Sequence, residues 1–387
     1  MIRVPARWMR GGTSKGLFIR EDALQSWTTS QRDRILLSAF GSPDRYGKQI
    51  DGVGGATSST SKVAVIGGRS PHCEIDYLFG QVGIGDDLID WSGSCGNLLA
   101  AVGVFAIDEG LVPVPEGVSE QAISIWQVNR QQRMRVTVPV ANGQANVDGD
   151  LVLAGVPRPS ARIRTVQTRR PTEFLDLGRN GVVLPTGRPV DVLDDGEGGR
   201  IEASIVDAGN LMVFVRAHDL GLTGKELPGT PLPASRLERL RCAAAAAAGI
   251  ADGKSFDWIS RERPSAPKIS WVAPPVPYTS SAGDAIPAAD IDIVARVVSM
   301  RQLHHAFTGT GAIALAVAAA IPDTIVGQTR TGTSRSGIRI GHTAGTMDVF
   351  ADVAQDGGVW HARSAGMDRT ARTLMAGDVF VPASCLS

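Results

Sequence analysis

Short runs of β-branched and other apolar residues, separated by turn residues, dominate the hydrophobic pattern of the chain, and such runs predict β-strands. In the N-terminal half they lie at 62–66, 123–128, 134–138 and 148–153. In the C-terminal half they lie at 204–206, 211–215, 269–272, 338–340, 346–350 and 378–382. Because helical patterns are fewer and do not alternate regularly with these runs, the pattern predicts the α+β class rather than a doubly wound parallel sheet.

Two helices are predicted from their end signals. Thr29–Phe40 follows a hydroxyl-bearing capping residue and precedes Gly41, and 236–248 ends in six alanines before Gly249. A glycine directly after the last helical residue adopts the left-handed conformation that ends many helices.

Two further helices begin at glycine-containing turns, and their sequences resemble each other. The segment 94–106 (SCGNLLAAVGVFA) aligns with 307–319 (FTGTGAIALAVAA), so that Cys95 falls on Thr308 and Gly96 on Gly309. Both helices are small and apolar around their whole circumference, which is typical of a helix buried on every side. We interpret the repeat as two similar domains, each with one central helix inside a sheet. A chance match between two alanine-rich segments is the alternative explanation.

The chain length agrees with this organisation, since 387 residues correspond to two domains at roughly 150 residues each, or to one large domain. We place an N-terminal domain at 1–185 and a C-terminal domain at 186–387. The stretches 156–160 and 194–199 are rich in proline, glycine and aspartate and predict loops. The last strand, at 378–382, belongs either to the second domain or, by returning, to the sheet of the first.

The composition of the chain limits the kinds of molecule that the protein is expected to bind. Lys and Arg number 39 and Asp and Glu number 39, so the formal net charge is zero, and no basic excess exists to bind a nucleic acid backbone. The longest small-apolar run, at 311–321, is too short to span a bilayer, and no signal peptide is visible at the N-terminus. Four cysteines without a CxxC pair fit a reducing compartment. We therefore expect a cytoplasmic protein that binds neither nucleic acid nor membrane.

The two glycine-containing turns are candidate anion sites. The first turn of a helix has backbone N–H groups without helical partners, and the helix dipole adds positive potential there. The residues concerned are Ser94, Gly96 and Asn97 in the first turn and Thr308, Gly309, Thr310, Gly311 and Ala312 in the second. Two such helix starts facing each other would hold two carboxylates of one small molecule. Ordinary helix capping is the alternative.

Two other turns carry candidate chemistry. The turn at 10–16 offers Thr13, Ser14 and Lys15 for a carboxylate, without the spacing of a phosphate-binding loop, and a solvated hairpin is the alternative. Lys62 follows a long polar loop and directly precedes an apolar strand. Desolvation there would lower the pKa of the amine and make it a usable base, whereas an ordinary solvated lysine is the alternative.

Five motifs together resemble the PrpF family, the 2-methylaconitate isomerases. They are RGGTSKG at 10–16, GSPDRYGKQIDGVGGATSSTSKVAV at 41–65, DYLFGQV at 76–82, DWSGSCGN at 90–97 and HHAFTGTGA at 304–312. They are long, occur in the family's order and span most of the chain. The resemblance implies a diaminopimelate epimerase-like fold, in which two pseudo-symmetric domains each wrap a curved sheet around a central helix and the active site lies between them.

The resemblance also implies roles for individual residues. In the epimerases both glycine turns carry a cysteine, whereas here the second turn carries Thr308, whose hydroxyl is too weak an acid and base for that reaction. The resemblance assigns Lys62 as the principal proton carrier and Cys95 as a supporting or secondary acid and base. We expect the substrate to be bound by Thr13, Ser14, Lys15, Ser61, Ser94, Gly96, Asn97, Met300, His305, Thr308, Gly309, Thr310, Gly311 and Ala312.

The neighbouring His304 and His305 also raise the question of a metal. Adjacent histidines on one element are expected to point apart, and no carboxylate cluster accompanies them, so we expect no metal and regard His305 as a substrate ligand. Arg301, which precedes the turn, is interpreted as a surface residue.

The implied activity is the isomerisation of 2-methyl-trans-aconitate to the cis form, by removal and return of an allylic proton without any cofactor. It would serve propionate breakdown through the methylcitrate cycle, with a tricarboxylate as ligand, functional coupling to an aconitase-like 2-methylcitrate dehydratase and homodimers as further expectations. The first alternative is a related isomerase of 4-oxalomesaconate, trans-aconitate or an itaconate-type acid. A non-catalytic accessory protein of the dehydratase is the alternative from another class.

Overall fold

A computed structural model describes residues 1–68, 71, 73–168, 177, 181–250, 253–332 and 337–386. The helices are α1 Thr29–Phe40, α2 Gly96–Asp108, α3 Ala234–Ala247, α4 Phe256–Glu262, α5 Gly309–Ala320 and α6 Ile325–Thr329. The first strands are β1 Ile2–Gly11, β2 Ser14–Arg20, β3 Lys62–Gly67, β4 Ile75–Val82, β5 Ile89–Asp90, β6 Glu120–Gln127, β7 Gln132–Ala141, β8 Gln144–Ala145 and β9 Ile163–Thr168. The remaining strands are β10 Asp191–Asp194, β11 Arg200–Ala208, β12 Asn210–Arg216, β13 Lys268–Ala273, β14 Tyr278–Thr279, β15 Ala285–Ile286, β16 Ile293–Ser299, β17 Gln302–Leu303, β18 Gly337–His342, β19 Gly345–Asp356, β20 Val359–Arg369 and β21 Ala371–Val381.

The chain forms two compact units. The first contains Met1–Thr165 together with Arg369–Ser387, and the second contains Val166–Asp368. The structure thus places the border earlier in the chain than the predicted one at 185/186. The last strand, β21, pairs antiparallel with β1 in the first unit. Its Val379 and Val381 are buried in one apolar cluster with Val4, which accounts for the return of the C-terminus.

The first unit is a sheet packed around α2. Strand β1 pairs antiparallel with β2, β2 pairs parallel with β3, and β3 pairs antiparallel with β4. Helix α2 is buried from Gly96 to Ile107 and contacts β1, β2, β3, β7 and β21. Gly103 allows the close approach of β7, because a Cβ there would lie 2.6 Å from Val136 Cγ2. A helix without a polar face is stable only in such a surrounding.

The second unit repeats this arrangement around α5. Strand β11 pairs antiparallel with β12, β12 pairs parallel with β13, and β13 pairs antiparallel with β16. Helix α5 is buried along its whole length and contacts β11, β12, β18 and β19. Each unit therefore has a hairpin, a helical crossover, a parallel strand, an antiparallel strand and then the buried helix. The repeat around Cys95 and Thr308 predicts the buried helix of each unit but not this order of strands.

The two helices predicted at Thr29–Phe40 and 236–248 are confirmed as α1 and α3, and their ends show the expected residues. Thr28 and Gln31 form a reciprocal capping box at the start of α1, and Gly41 ends it with φ of 72°. Helix α3 ends at Ala247, and Gly249 follows with φ of 68°. Within the described residues, no helix has the length and apolarity needed to cross a membrane.

The predicted strand at 148–153 is wrong. Leu151 forms only an isolated bridge with Ser160. The carbonyl of Leu153, which a strand would offer to a neighbour, instead accepts from Val156 N in a tight turn at 2.9 Å. The other predicted strands are confirmed.

Candidate active site

Lys62 lies at the start of β3 and is only 6% exposed. Its Nζ donates a hydrogen bond of 2.6 Å to Gln81 Oε1 on β4 and lies 5.2 Å from the centre of the Phe79 ring. Burial lowers the pKa of the Lys62 amine below its ordinary value, and the nearby Cys95 opposes this effect. The interpretation of Lys62 as an ordinary solvated lysine is therefore wrong.

Cys95 is the N-cap residue of α2 and is 7% exposed. Its Sγ accepts from Leu98 N at 3.5 Å, and its carbonyl accepts from the hydroxyl of Tyr77 at 3.3 Å. Burial raises the pKa of Tyr77 well above its ordinary value, so this hydroxyl remains a neutral donor. The first unit thus places a thiol and a desolvated amine within electrostatic range of each other.

The β1–β2 turn lies directly on the start of α2. Asn97 Nδ2 donates to Thr13 Oγ1 at 3.1 Å, and a Cβ at Gly11 would lie 2.5 Å from the carbonyl oxygen of Asn97. Arg369, at the end of β20, donates from Nε to Asn97 Oδ1 at 3.0 Å and is buried. Hydrogen bonds therefore connect Arg369, the Asn97 amide and the Thr13 hydroxyl in series at the N-terminus of α2.

The serines of the first unit differ in how their hydroxyls are used. Ser14 is 2% exposed, and its Oγ has no hydrogen-bond partner among the described residues. Ser61 Oγ donates to Gln49 Oε1 at 2.6 Å. Lys15 is held by its backbone, since its N donates to the carbonyl of Ser59 at 2.8 Å. Of these side chains, Ser14 is therefore the one whose buried hydroxyl is left unsatisfied by the described residues. Ser94, also predicted, is buried directly before Cys95.

The start of α5 in the second unit offers a different set of groups. Thr308 is the N-cap residue and is 8% exposed, but its Oγ1 neither caps the helix nor finds a partner among the described residues. A Cβ at Gly311 would lie 2.4 Å from this oxygen, so no side chain larger than that of glycine fits beside the buried hydroxyl. Thr310 Oγ1 accepts from Asn210 Nδ2 at 2.9 Å. Gly309 and Ala312 belong to the same first turn.

The residues preceding α5 are placed as follows. The rings of His304 and His305 stack at 4.7 Å with an interplanar angle of 27°, so the expectation that they point apart is wrong. His304 Nδ1 accepts from Ala306 N at 3.1 Å.

Met300 lies at the tip of the β16–β17 hairpin with φ of 51°, and Arg301 is exposed and donates to Ser260 O. Among the described residues, no group of three or more His, Cys, Asp and Glu side chains is arranged to hold a metal ion.

Two polar side chains at this site were not predicted. Gln81 lies in the motif at 76–82, but its contact with Lys62 becomes evident only from the register of β3 and β4, in which the two residues are opposite each other. Arg369 lies 272 positions from Asn97, and no local sequence signal marks it.

Comparisons with known proteins identify the family of the chain. A sequence profile described as "PrpF protein" matches residues 1–382. The chain is 42% identical to the 2-methyl-aconitate isomerase of Shewanella oneidensis and 41% identical to that of Cupriavidus necator. These alignments cover 98% of this chain and 97% and 98% of the two relatives. The 3-methylitaconate isomerase of Eubacterium barkeri is 38% identical, over 98% of this chain and 97% of that protein.

Solved structures show the same similarity. A methylitaconate-delta-isomerase superposes with a TM-score of 0.75 at 36% identity, covering 100% of this chain and 97% of the other. A probable proline racemase from Agrobacterium radiobacter superposes with a TM-score of 0.52 at 13% identity, covering 100% of this chain and 96% of that one. The second match supports the fold alone, which is that of the diaminopimelate epimerase-like proteins. The PrpF profile matches residues 1–382, and the relatives align with this chain over nearly their whole length. The chain therefore belongs to the PrpF family.

Proposed function

We propose that this protein isomerises 2-methyl-trans-aconitate to the cis form by moving an allylic proton. The observation that carries the proposal is the buried, desolvated Lys62 amine beside Cys95, in a chain whose relatives at 41% and 42% identity are 2-methyl-aconitate isomerases. The proposed setting is cytoplasmic propionate breakdown by the methylcitrate route, with functional coupling to an aconitase-like dehydratase, as the family resemblance implies.

The proton transfer follows from the chemistry of an unsaturated tricarboxylate. Neutral Lys62 takes a proton from a carbon that is vinylogous to a carboxylate, so a C–H bond breaks and an N–H bond forms. The electron pair spreads into a dienolate, in which the former double bond has single-bond character and rotates. The ammonium of Lys62 then returns the proton to carbon, and the amine is regenerated. A base with a lowered pKa suits this cycle, because it both accepts and releases the proton near neutral pH.

Stabilisation of the dienolate is assigned to the groups around α2. The backbone N–H groups of Gly96 and Asn97 lie in the first helical turn, where negative charge is favoured. The orphan hydroxyl of Ser14 and the chain from Arg369 through Asn97 to Thr13 add donors beside them. Preorganised donors of this kind stabilise developing negative charge without reorganising during the reaction.

The start of α5 is assigned to carboxylate binding. Thr308 Oγ1 has no partner among the described residues, and the first-turn N–H groups of Gly309, Thr310 and Gly311 are aligned with the positive end of the helix dipole. A threonine hydroxyl does not exchange protons with carbon acids at neutral pH. We therefore assign Thr308 to binding and leave the proton transfer to Lys62 and Cys95.

The experiment that tests this function is turnover in D₂O followed by proton NMR. The purified protein is incubated separately with 2-methyl-trans-aconitate, trans-aconitate, 3-methylitaconate and 4-oxalomesaconate, with no dehydratase present. We expect the 2-methyl-trans-aconitate to be converted fastest, with deuterium entering an allylic position.

Two other outcomes would change the proposal. Preference for 3-methylitaconate, the substrate class named for the solved structure at 36% identity, would keep Lys62 as the base and reassign the substrate. No turnover of any of the four acids would favour the accessory role instead.

A further inference from the structure

The side chain of Gln81 is fixed by three hydrogen bonds. Its Nε2 donates to the carbonyls of Ser58 at 3.2 Å and Ser61 at 2.9 Å, and its Oε1 accepts from Lys62 Nζ at 2.6 Å. The residue is 2% exposed. Since the two carbonyls can only accept hydrogen bonds, the amide NH₂ must face them and the amide oxygen must face the lysine. The orientation of the amide is therefore determined by its partners.

The same contacts fix the amine. Ser61 directly precedes Lys62, so Gln81 links the end of the polar loop to the tip of the lysine side chain. A neutral amine has two N–H donors and one lone pair. One N–H of the amine is held by Gln81 Oε1, and the nitrogen lies above the Phe79 ring. These two contacts limit the directions in which the lone pair of the amine can point. Holding a base in one orientation is a large part of what a catalytic site supplies.

The partner of Lys62 is also uncharged. Among the described residues, no carboxylate forms an ion pair with this lysine, and Gln81 Oε1 is its hydrogen-bond acceptor. The titratable group that acts on it electrostatically is the Cys95 thiol on α2, and the backbone carbonyl of Cys95 in turn accepts a hydrogen bond from the Tyr77 hydroxyl on β4. A carboxylate in place of the amide would hold the lysine as an ammonium, and an ammonium cannot take a proton.

We propose that Gln81 is a positioning residue for the reaction, whose fixed and uncharged amide oxygen aims the Lys62 amine while leaving it free to be unprotonated. The inference rests on the proposed role of Lys62 as the base. It extends that role by naming the residue that directs the amine and that, being uncharged, does not hold it as an ammonium.

The test replaces Gln81 in two opposite ways. Gln81→Glu introduces a carboxylate at the amide position, and Gln81→Met removes the acceptor with little change in size. The pH dependence of kcat/KM is measured for both, together with the titration of Lys62 by NMR of protein labelled at lysine Nζ. The chain has six lysines, so this spectrum is simple, and Lys62→Met identifies the resonance.

We expect the two Gln81 variants to displace the Lys62 titration and the rate profile in opposite directions along the pH axis. In Gln81→Glu the Lys62 titration and the ascending limb of the rate profile move together to higher pH. The rate at neutral pH then falls about tenfold for each unit of displacement and recovers in alkaline buffer. In Gln81→Met both move to lower pH, because the ammonium has lost an acceptor, while kcat falls at every pH since the amine is no longer aimed.

A matched control is available in Gln127, another buried glutamine of the first unit, whose amide bonds Asn129 and Arg130. Gln127→Glu is expected to leave unchanged both the Lys62 titration and the ascending limb of the pH–rate profile.

The two proposals fail differently. If neither Gln81 variant moves the Lys62 titration, the role given to Gln81 is wrong. If the titration moves but the limb of the rate profile does not, Gln81 does act on Lys62, and it is the assignment of Lys62 as the base that fails.

Discussion

The two units place a lysine at the same point of the same topology but surround it differently. Lys62 is the first residue of β3 and Lys268 the first residue of β13, and each of these strands pairs parallel with the second strand of the preceding hairpin. Lys62 donates to the side chain of Gln81 on the adjacent strand. Lys268 donates to the backbone carbonyl of Ser265, in the turn just before its own strand.

The two buried helices begin with a similar contrast. At α2 the Cys95 thiol accepts from Leu98 N and acts electrostatically on Lys62. At α5 the Thr308 hydroxyl makes no capping bond. In both units a hairpin turn contacts the helix start, through Thr13 and Asn97 in the first and through Asn210 and Thr310 in the second.

This comparison separates what the duplicated framework provides from what the individual side chains provide. Both copies supply a buried helix with its positive end and a turn packed on it, and the carboxylate binding proposed above draws on both features. The first copy adds a thiol and an amine whose hydrogen bond runs to another side chain, while the second copy ties its lysine to the local backbone. The proposed function thus rests on a few side chains that differ between the two copies of a repeated fold.

The largest effect is expected from Lys62→Met. Removing a general base typically lowers the rate by about 10²–10⁴-fold, and we expect kcat to fall within that range while KM changes little. The measurement is steady-state kinetics with 2-methyl-trans-aconitate, after circular dichroism has shown that the variant is folded.

The matched control is Lys268→Met, which removes the corresponding lysine of the second unit. We expect it to retain the activity of the parent protein in its folded fraction. An equal loss in both variants would break the comparison, because it would mean that the second copy also takes part in proton transfer.

Cys95→Ala is expected to lower kcat by less than Lys62→Met. If the thiol returns or relays a proton, its loss slows the chemical step, and the effect appears in kcat rather than in KM. The exchange of substrate protons with D₂O is measured alongside the rate. A variant that exchanges protons normally but isomerises slowly would assign Cys95 to reprotonation, whereas an effect on KM alone would assign it to binding.

The parts of this structure that the sequence predicts are those defined locally. Helix α1 is bounded by Thr28 and Gly41, both of which act within one turn of its ends, and α2 and α5 are recognised because their residues are apolar on every side. Lys62 and Cys95 lie in long family motifs, so their proximity follows once the fold is assigned.

The parts that sequence does not predict depend on strand pairing between distant segments. Gln81 reaches Lys62 only because β3 and β4 pair in one particular register. Arg369 reaches Asn97 only because the end of the chain returns to the first unit. The false strand at 148–153 has a different origin, since its apolar residues suit a sheet but Leu153 O is used by a local turn.

Thr308→Val tests the binding role of the second helix start. Valine keeps the size of threonine and removes the hydroxyl, so the loss is that of one hydrogen bond to a charged ligand, about 1.5–3 kcal/mol. We expect KM to rise roughly 10- to 150-fold, at 1.36 kcal/mol for each factor of ten, and kcat to stay close to that of the parent. A fall in kcat as large as that of Cys95→Ala would show that the two helix starts share the chemistry and would remove the contrast drawn above.

The smallest effect is expected in stability. Burial lowers the pKa of Lys62, so between the folded and unfolded pKa values the unfolded chain binds one more proton, and the free energy of unfolding decreases as the pH falls through this window. The cost is absent above the unfolded pKa of about 10.4, and below the folded pKa it is constant at about 1.4 kcal/mol for each unit of difference.

Lys62→Met removes this cost, so we expect the variant to be more stable than the parent at neutral pH, by a margin that shrinks towards pH 10. Urea unfolding of both proteins at several pH values between 7 and 10 measures the margin, with Lys48→Met, at an exposed lysine, as the control. A stabilisation that does not depend on pH would come from apolar packing of methionine instead. A margin that closes with rising pH would show that the first unit carries its reactive amine at the expense of stability.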